Sequence, residues 1–330
     1  MPQTQLPNPI EVAPSPHVAE RSSTTQRMMI DVLIGLAPVL VMSVLVFHWY
    51  AVVQMGLCVI VCMATETACA WMRGRPTPIG DYSAAVTGVI LGLSIPWASP
   101  WYVGVIGSVV AIALGKVVFG GIGYNIFNPA MVGRAFVMLS FAKELGASAY
   151  VVMQSHLEIL TQPTPLTIAK EAASNVAGRE ALWPLFVGQV NGSPGETSAL
   201  ALLLGGMYLC LRHSAAWQIP LSMMIAGFLA AQLAYWAGLS PLTAMYHLLT
   251  GSFLFGAFFI ATDPVSSPVT PRGHWIFGAG IGVLTIMIRI FSGYPEGVMF
   301  AVLVMNAAVP LINRWTIPRP VGGPAPVPTG

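Results

Sequence analysis

Apolar residues run along this chain in long blocks separated by short polar intervals, and ten such blocks stand out: 29–47, 51–72, 83–98, 101–119, 128–142, 198–212, 217–238, 247–262, 275–290 and 296–313. Each predicts a membrane-spanning helix. Several fall short of the roughly 20 residues that cross a bilayer squarely, and the third, fifth and eighth read as broken or re-entrant segments. The pattern divides the chain into five parts: a polar tail 1–28, a first transmembrane half 29–142, a polar loop 143–197, a second transmembrane half 198–313, and a tail 314–330. The last tail is rich in proline and is expected to be disordered.

Composition sharpens the class. Hydrophobic residues make up 55% of the chain and charged residues 8%, with a mean hydropathy of +0.74. No soluble domain needs so much apolar surface, so the expected fold is an all-α polytopic membrane protein. The net charge of +2 says little, and the 14 basic residues are scattered, which excludes a nucleic-acid surface. The first 28 residues contain no apolar leader segment, so the N-terminus is expected in the cytoplasm. Arg21, Arg27, Arg73, Arg75, Arg212, Arg272, Arg314 and Arg319 then all flank cytoplasmic loops, as the excess of basic residues on that side requires. Both termini become cytoplasmic and the 143–197 loop periplasmic.

The halves resemble each other faintly. Thr87-Gly88 and Thr250-Gly251 each open an apolar stretch, Pro100 and Pro264 follow at nearly equal distances, and Asn128 answers Asn306. Five spans per half is an odd number, so the halves would have opposite topologies, the 5+5 inverted repeat that builds midplane pathways.

Within the spans, ionisable groups are few. An ionised carboxylate in hydrocarbon costs at least about 2.5 kcal/mol, so each needs a partner or a function. Asp31 lies near a helix end and is expected to reach the interface. Glu66 sits deeper, in Ala64-Thr-Glu-Thr67, where the flanking hydroxyls are expected to stabilise it. Asp263-Pro264 ends an apolar block; it either caps the next segment or pairs with Arg272, or else lines a cation route with carbonyls freed by the proline. Glu66 and Asp263 are the ion-pathway candidates, and Glu296 stands at an outer edge. Arg134 and Arg289 either pair with these acids or face a cofactor. Asn128 and Pro129 read as cap and first residue of a helix. Cys58, Cys62 and Cys69 share a helix face and read as small packed thiols, with an intramembrane metal site as the alternative. No phosphate loop, nucleophile elbow, zinc-binding helix or dinucleotide fingerprint is present. Any redox chemistry must come from a bound cofactor or from partner subunits.

The polar loop holds Glu158-Ile-Leu-Thr-Gln-Pro-Thr-Pro-Leu-Thr-Ile168. Thr164 reads as the N-cap of a short helix over 166–176, with Pro165 at its first position. The alternative is a hydroxyl carrying a phosphate-linked cofactor on that helix N-terminus.

Four motifs bear on this choice: Asn125-Ile-Phe-Asn-Pro-Ala-Met-Val-Gly133, Gly256-Ala-Phe-Phe-Ile-Ala-Thr-Asp-Pro264, Arg272-Gly273 and Gly293-Tyr-Pro-Glu-Gly-Val-Met-Phe-Ala-Val-Leu303. In that order and spacing, over roughly 27–315, the chain resembles the D-type subunit of the Rnf ion-translocating electron-transport complex, a relative of the B-type subunit of the Na⁺-translocating NADH:quinone reductase. The resemblance implies a ten-helix subunit of a redox-driven ion pump in the bacterial inner membrane, inactive alone. Its partners would be the A, B, C, E and G members of the same complex, with ferredoxin and NADH as electron carriers. It also implies FMN joined through its phosphate to Thr164 by a flavin transferase. The family's attachment motif runs Asp-Gly-x-Ser-(Gly or Gln)-Ala-Thr-Pro-Leu. Here Glu158, Ile159, Thr161 and Pro163 replace its Asp, Gly, Ser and Ala, whereas Thr164-Pro-Leu matches; Thr161 and Thr167 are the fallback sites. The quinone-reductase relative also holds riboflavin within the membrane, and the resemblance extends to a similar ligand here. A solute channel with an inverted-repeat fold and no redox role, or an assembly scaffold, are the readings from other classes.

Overall fold

The computed structural model describes residues 24–145, 182–188, 192–292 and 296–318, and the elements among them are helical. The attachment segment with Thr164, both tails and most of the polar loop lie outside the described residues.

Helix α1 (Thr25–Met72) is capped by the Thr24 hydroxyl, which accepts from the Arg27 N–H at 3.3 Å. Its one non-helical residue is His48, at φ 51° and ψ −137°. Met29 before it and Glu66 beyond it both reach Lys116 or the cavity beside it, so the chain reverses direction at His48. The expected loop at 48–50 shrinks to that residue, and the limbs 25–47 and 49–72 are each about 35 Å long.

A short 3₁₀ turn (Pro78–Asp81) leads into α2 (Ser83–Ser94), whose side chains are almost all buried. Gly88 lies so close to α1 that a Cβ there would stand 2.6 Å from the Val59 Cα. Helix α2 stops earlier than the expected 83–98, because Pro96 removes a donor and holds the preceding Ile95 extended at φ −87° and ψ 137°. Helix α3 (Trp101–Ile112) continues into a π-helical turn (Ala113–Val117). Then come α4 (Pro129–Ser140), α5 (Ala142–Leu145), α6 (Leu182–Val187) and α7 (Ala199–Leu211). The segment before α7 departs from the polar-loop expectation: residues 192–198 are buried, and the Gly195 N–H donates to the Leu93 carbonyl at 2.8 Å. It closes the end of α2 rather than facing solvent.

Helix α8 (Gln218–Trp236) precedes the eighth block, which is broken as expected. Here α9 (Ala244–Leu249) ends at an extended Thr250, Gly251 takes φ 64°, and α10 (Phe253–Phe255) runs into a second π turn (Gly256–Ile260). Helices α11 (Pro271–Phe291) and α12 (Val298–Thr316) complete the bundle.

Four of these helices, α1, α8, α11 and α12, are long and apolar enough to cross a membrane, and α2, α3, α4 and α7 are shorter apolar helices. Helix α1 packs on α2, α3 and α7; α11 lies along α8 and against α12; α4 joins the two groups by touching α2, α3 and α12. Exposed tryptophans stand at helix ends and turns (Trp49, Trp71, Trp101, Trp217, Trp236, Trp315), where amphipathic rings settle at a membrane–water boundary. The fold is that of a polytopic membrane protein.

Candidate functional site: two levels of buried charge

The first level gathers around Lys116. The π turn adds a residue to the last turn of α3 and turns Lys116 inward. Its ammonium donates to the Glu66 carboxylate at 2.5 Å and to the Ser83 hydroxyl. Ser83 is fixed in turn by Asp81, which accepts from its N–H at 2.9 Å and its hydroxyl at 2.6 Å. Glu66 and Lys116 are 4% and 3% exposed. Burying both charges costs several kcal/mol per ion unless pairing repays it, so here the pairing is obligatory. The expected stabilisation of Glu66 by its neighbours is corrected: the Thr65 and Thr67 hydroxyls donate to their own helix, at 2.7 Å from the Val61 carbonyl and 2.8 Å from that of Met63.

Two cavities meet at this pair. An inner one of about 70 Å³ is lined by the polar residues Lys116, Ser83, Thr87, Asn125, Asn128, Ser214, Thr262 and Asp263, with mostly apolar side chains such as Met29, Ile90 and Phe259 between them. A larger one of about 240 Å³ is lined by Glu66, Asp81, Arg73, Arg75 and the Gly120–Gly121 turn. The two ion-pathway candidates are therefore brought to one region, on either side of a lysine. Asp263 accepts from the Val265 N–H at 3.2 Å and the Ser266 hydroxyl at 2.9 Å. It caps its own turn and forms no ion pair with Arg272, because α11 begins after a further turn that carries Arg272 away.

Asp31 does not reach an interface as expected. It is 6% exposed and accepts from the Ser214 hydroxyl at 2.7 Å and from Tyr208 at 3.2 Å, with Arg212 at 3.6 Å. It ties the first limb of α1 to the end of α7. Cys58 and Cys62 are buried thiols facing α3, each 3.9 Å from a carbonyl, of Gly104 and Ser108 respectively. No group of three or more metal-ligating side chains occurs among the described residues.

The second level lies beyond the run Phe253–Ile260, eight residues that span roughly 12 Å at helical rise. Arg134 bridges two acids, Glu296 and Glu196, the latter at 3.6 Å. Arg289 donates to the His247 carbonyl at 2.5 Å and the Thr250 carbonyl at 3.0 Å, over the Phe253 ring. It thus satisfies the carbonyls freed where the eighth span breaks, and has no acid within 4 Å among the described residues. Of the two expectations for the arginines, pairing holds for Arg134.

Between the levels the two asparagines meet. Asn128 caps α4, accepting from the Ala130 and Met131 N–H groups at 3.0 and 3.3 Å, while its own N–H donates to Asn306 at 3.2 Å. The Asn306 amide donates to the Ser266 carbonyl at 2.8 Å. The parts played by Lys116, Ser83 and Glu196 are not foreseen in the sequence. A lone lysine in Ala113-Leu-Gly-Lys-Val117 is the available signal, since an intramembrane cation needs a partner.

A match to the NQR2, RnfD, RnfE family spans residues 11–322. The chain belongs to this family. The D-type subunit of the Na⁺-translocating ferredoxin:NAD⁺ oxidoreductase complex of Acetobacterium woodii is 39% identical over 315 residues, 95% of each chain. Its counterpart in the proton-translocating ferredoxin:NAD⁺ oxidoreductase complex of Clostridium ljungdahlii is 37% identical over 322 residues, covering 96% of this chain and 97% of that one. The counterpart in the ion-translocating oxidoreductase complex of Halorhodospira halophila is 37% identical over 343 residues, covering 94% and 95%. The family match takes in all of the described bundle and both levels of buried charge.

Proposed function

We propose that the chain is the D-type membrane subunit of a redox-driven pump that links electron transfer between ferredoxin and NAD to movement of a monovalent cation. The observation that carries this reading is the end-to-end match to relatives named as that subunit. Relatives named for Na⁺ and for protons match nearly equally, so the cation is either. The subunit works within a complex whose other members are those of the Rnf type, A, B, C, E and G, in the bacterial inner membrane with both termini cytoplasmic. The halves form a 5+5 inverted repeat, a reading supported by the Asn128–Asn306 contact where they meet.

Thr164 carries FMN as a phosphoester on the periplasmic side, placed there by a flavin transferase, and a non-covalent riboflavin is held within the membrane. A bound flavin supplies one- and two-electron chemistry that no side chain here provides. The protein's own part is to hold charges in the bundle. Glu66 and Asp263 offer carboxylate oxygens to a cation, Lys116 balances one of them, and the broken helices leave room between them. Moving one charge against 100 mV costs about 2.3 kcal/mol, which sets the redox energy the complex must deliver per cation.

Expressing the chain with its cognate flavin transferase and running a denaturing gel tests the assignment. A fluorescent flavin band lost in Thr164→Ala is expected, with acid-extractable riboflavin left in that variant. A chain with no band under any co-expression would refute the covalent flavin.

A further inference from the structure

We propose that Lys116 is a tethered counterpart of the transported cation: by holding Glu66 it closes the passage between the two cavities, and a cation passes by displacing it, whereupon Lys116 turns to Asp263. The inference rests on the reading above that the cation crosses through this subunit.

Three observations carry it. The Glu66–Lys116 pair is the contact between the cavities, for Glu66 lines the larger and Lys116 the smaller, with Ile122 common to both. The inner cavity offers Lys116 a second anion, since Asp263 lines the same wall and has no basic side chain within 4 Å among the described residues. The charges also leave room for one cation. Glu66 and Asp263 present two carboxylates to one ammonium, and a monovalent cation on Glu66 with Lys116 on Asp263 neutralises both.

The surroundings suit such an exchange. Lysine is a compact charge on a flexible four-carbon stem, able to swing between partners where a guanidinium would stay locked to a carboxylate. Ser83, Thr87 and Thr262 line the inner cavity together with Lys116 and Asp263; the Thr87 and Thr262 hydroxyls donate to the Ser83 and Phe258 carbonyls, which leaves their oxygens able to accept. The larger cavity is lined by Arg73 and Arg75 as well as Asp81 and Glu66, so it holds both signs of charge, and the carboxylate it shares with the pair is the one Lys116 covers.

The test uses the assembled complex in sealed inside-out vesicles, scoring cations taken up per NAD⁺ reduced, passive leak without ferredoxin, and the flavin band as an assembly control. Radioactive Na⁺ and a pH-sensitive dye report the two cations. In Lys116→Arg, cations moved per NAD⁺ should fall by about tenfold, equivalent to about 1.4 kcal/mol on the exchange step, because the guanidinium releases Glu66 reluctantly. In Lys116→Met the passage is left unguarded, and passive leak should rise about tenfold or more over the unaltered complex. If Lys116→Met fails to assemble, Lys116→Arg decides. Wild-type coupling in Lys116→Arg, or a tight and fully coupled Lys116→Met complex, overturns the proposal and marks the pair as structural. Glu66→Gln and Asp263→Asn separate this from failure of the underlying reading: full uptake in both places the cation route outside this subunit, whereas lost uptake there with unaltered Lys116 variants removes only the tethered cation.

Discussion

Arg134 joins three segments that are distant in sequence, and its removal should be among the most damaging single changes in the bundle. The residue projects from α4 toward Glu196, in the buried segment before α7, and Glu296, just before α12. Its side chain is 8% exposed and that of Glu196 only 4%. At 3.6 Å, the attraction to Glu196 alone is worth about 4–5 kcal/mol with an effective dielectric constant of about 20. Arg134→Met withdraws that and leaves two desolvated carboxylates near each other; stranding a buried partner typically costs about 3–5 kcal/mol. The carboxylates can relieve part of this by taking up a proton, so we expect a net loss at the lower end, about 3 kcal/mol. For a large domain that corresponds to roughly 6–12 °C in melting temperature. The assay is a thermal melt of the detergent-solubilised complex, comparing wild type, Arg134→Met, Glu196→Gln and the double variant. Neutralising Glu196 in the Met background should recover part of the loss, because contacting charges are not additive. A melting temperature for Arg134→Met within about 2 °C of wild type, less than about 1 kcal/mol, would refute the view that this guanidinium holds the two acids.

Other outcomes follow from the same geometry. Asn306→Ala leaves the Asn128 N–H and the Ser266 carbonyl without their partner, at about 1–3 kcal/mol for each buried group stranded; the melt of the same complex measures it, and a neutral result would mean that water replaces the amide. Gly133→Ala places a Cβ 2.8 Å from the Ala111 Cβ where α4 crosses α3, so overpacking should cost about 1–3 kcal/mol, visible as a lower midpoint and faster proteolysis. Glu66→Gln and Asp263→Asn should each lower the number of cations moved per NAD⁺ reduced while the flavin band on a gel stays at wild-type intensity; unchanged coupling in both would remove these acids from the route.

The sequence by itself determined which stretches of the chain enter the bundle. Apolar runs are a local property, set by the cost of exposing backbone and polar groups to hydrocarbon, so the helices fall where the blocks predicted. The local punctuation was equally legible. Asn128 caps α4, and the eighth block breaks at Thr250-Gly251, because capping and a left-handed glycine depend on immediate neighbours. The four motifs also marked the family.

Which charges meet was decided only by the tertiary structure. Lys116 reaches a glutamate 50 residues earlier, and Arg134 reaches one 162 residues later. Neither partner could be chosen from spacing, because the choice depends on which helices pack side by side and on how far a π turn rotates Lys116 into the bundle. The burial of 192–198 belongs to the same class. A polar segment can be buried once distant parts of the chain satisfy its groups, as the Leu93 carbonyl does for Gly195. Local free energies thus place the helices, whereas the pairing of buried charges waits on contacts between distant segments, and the candidate cation route between Glu66 and Asp263 exists only in the packed bundle.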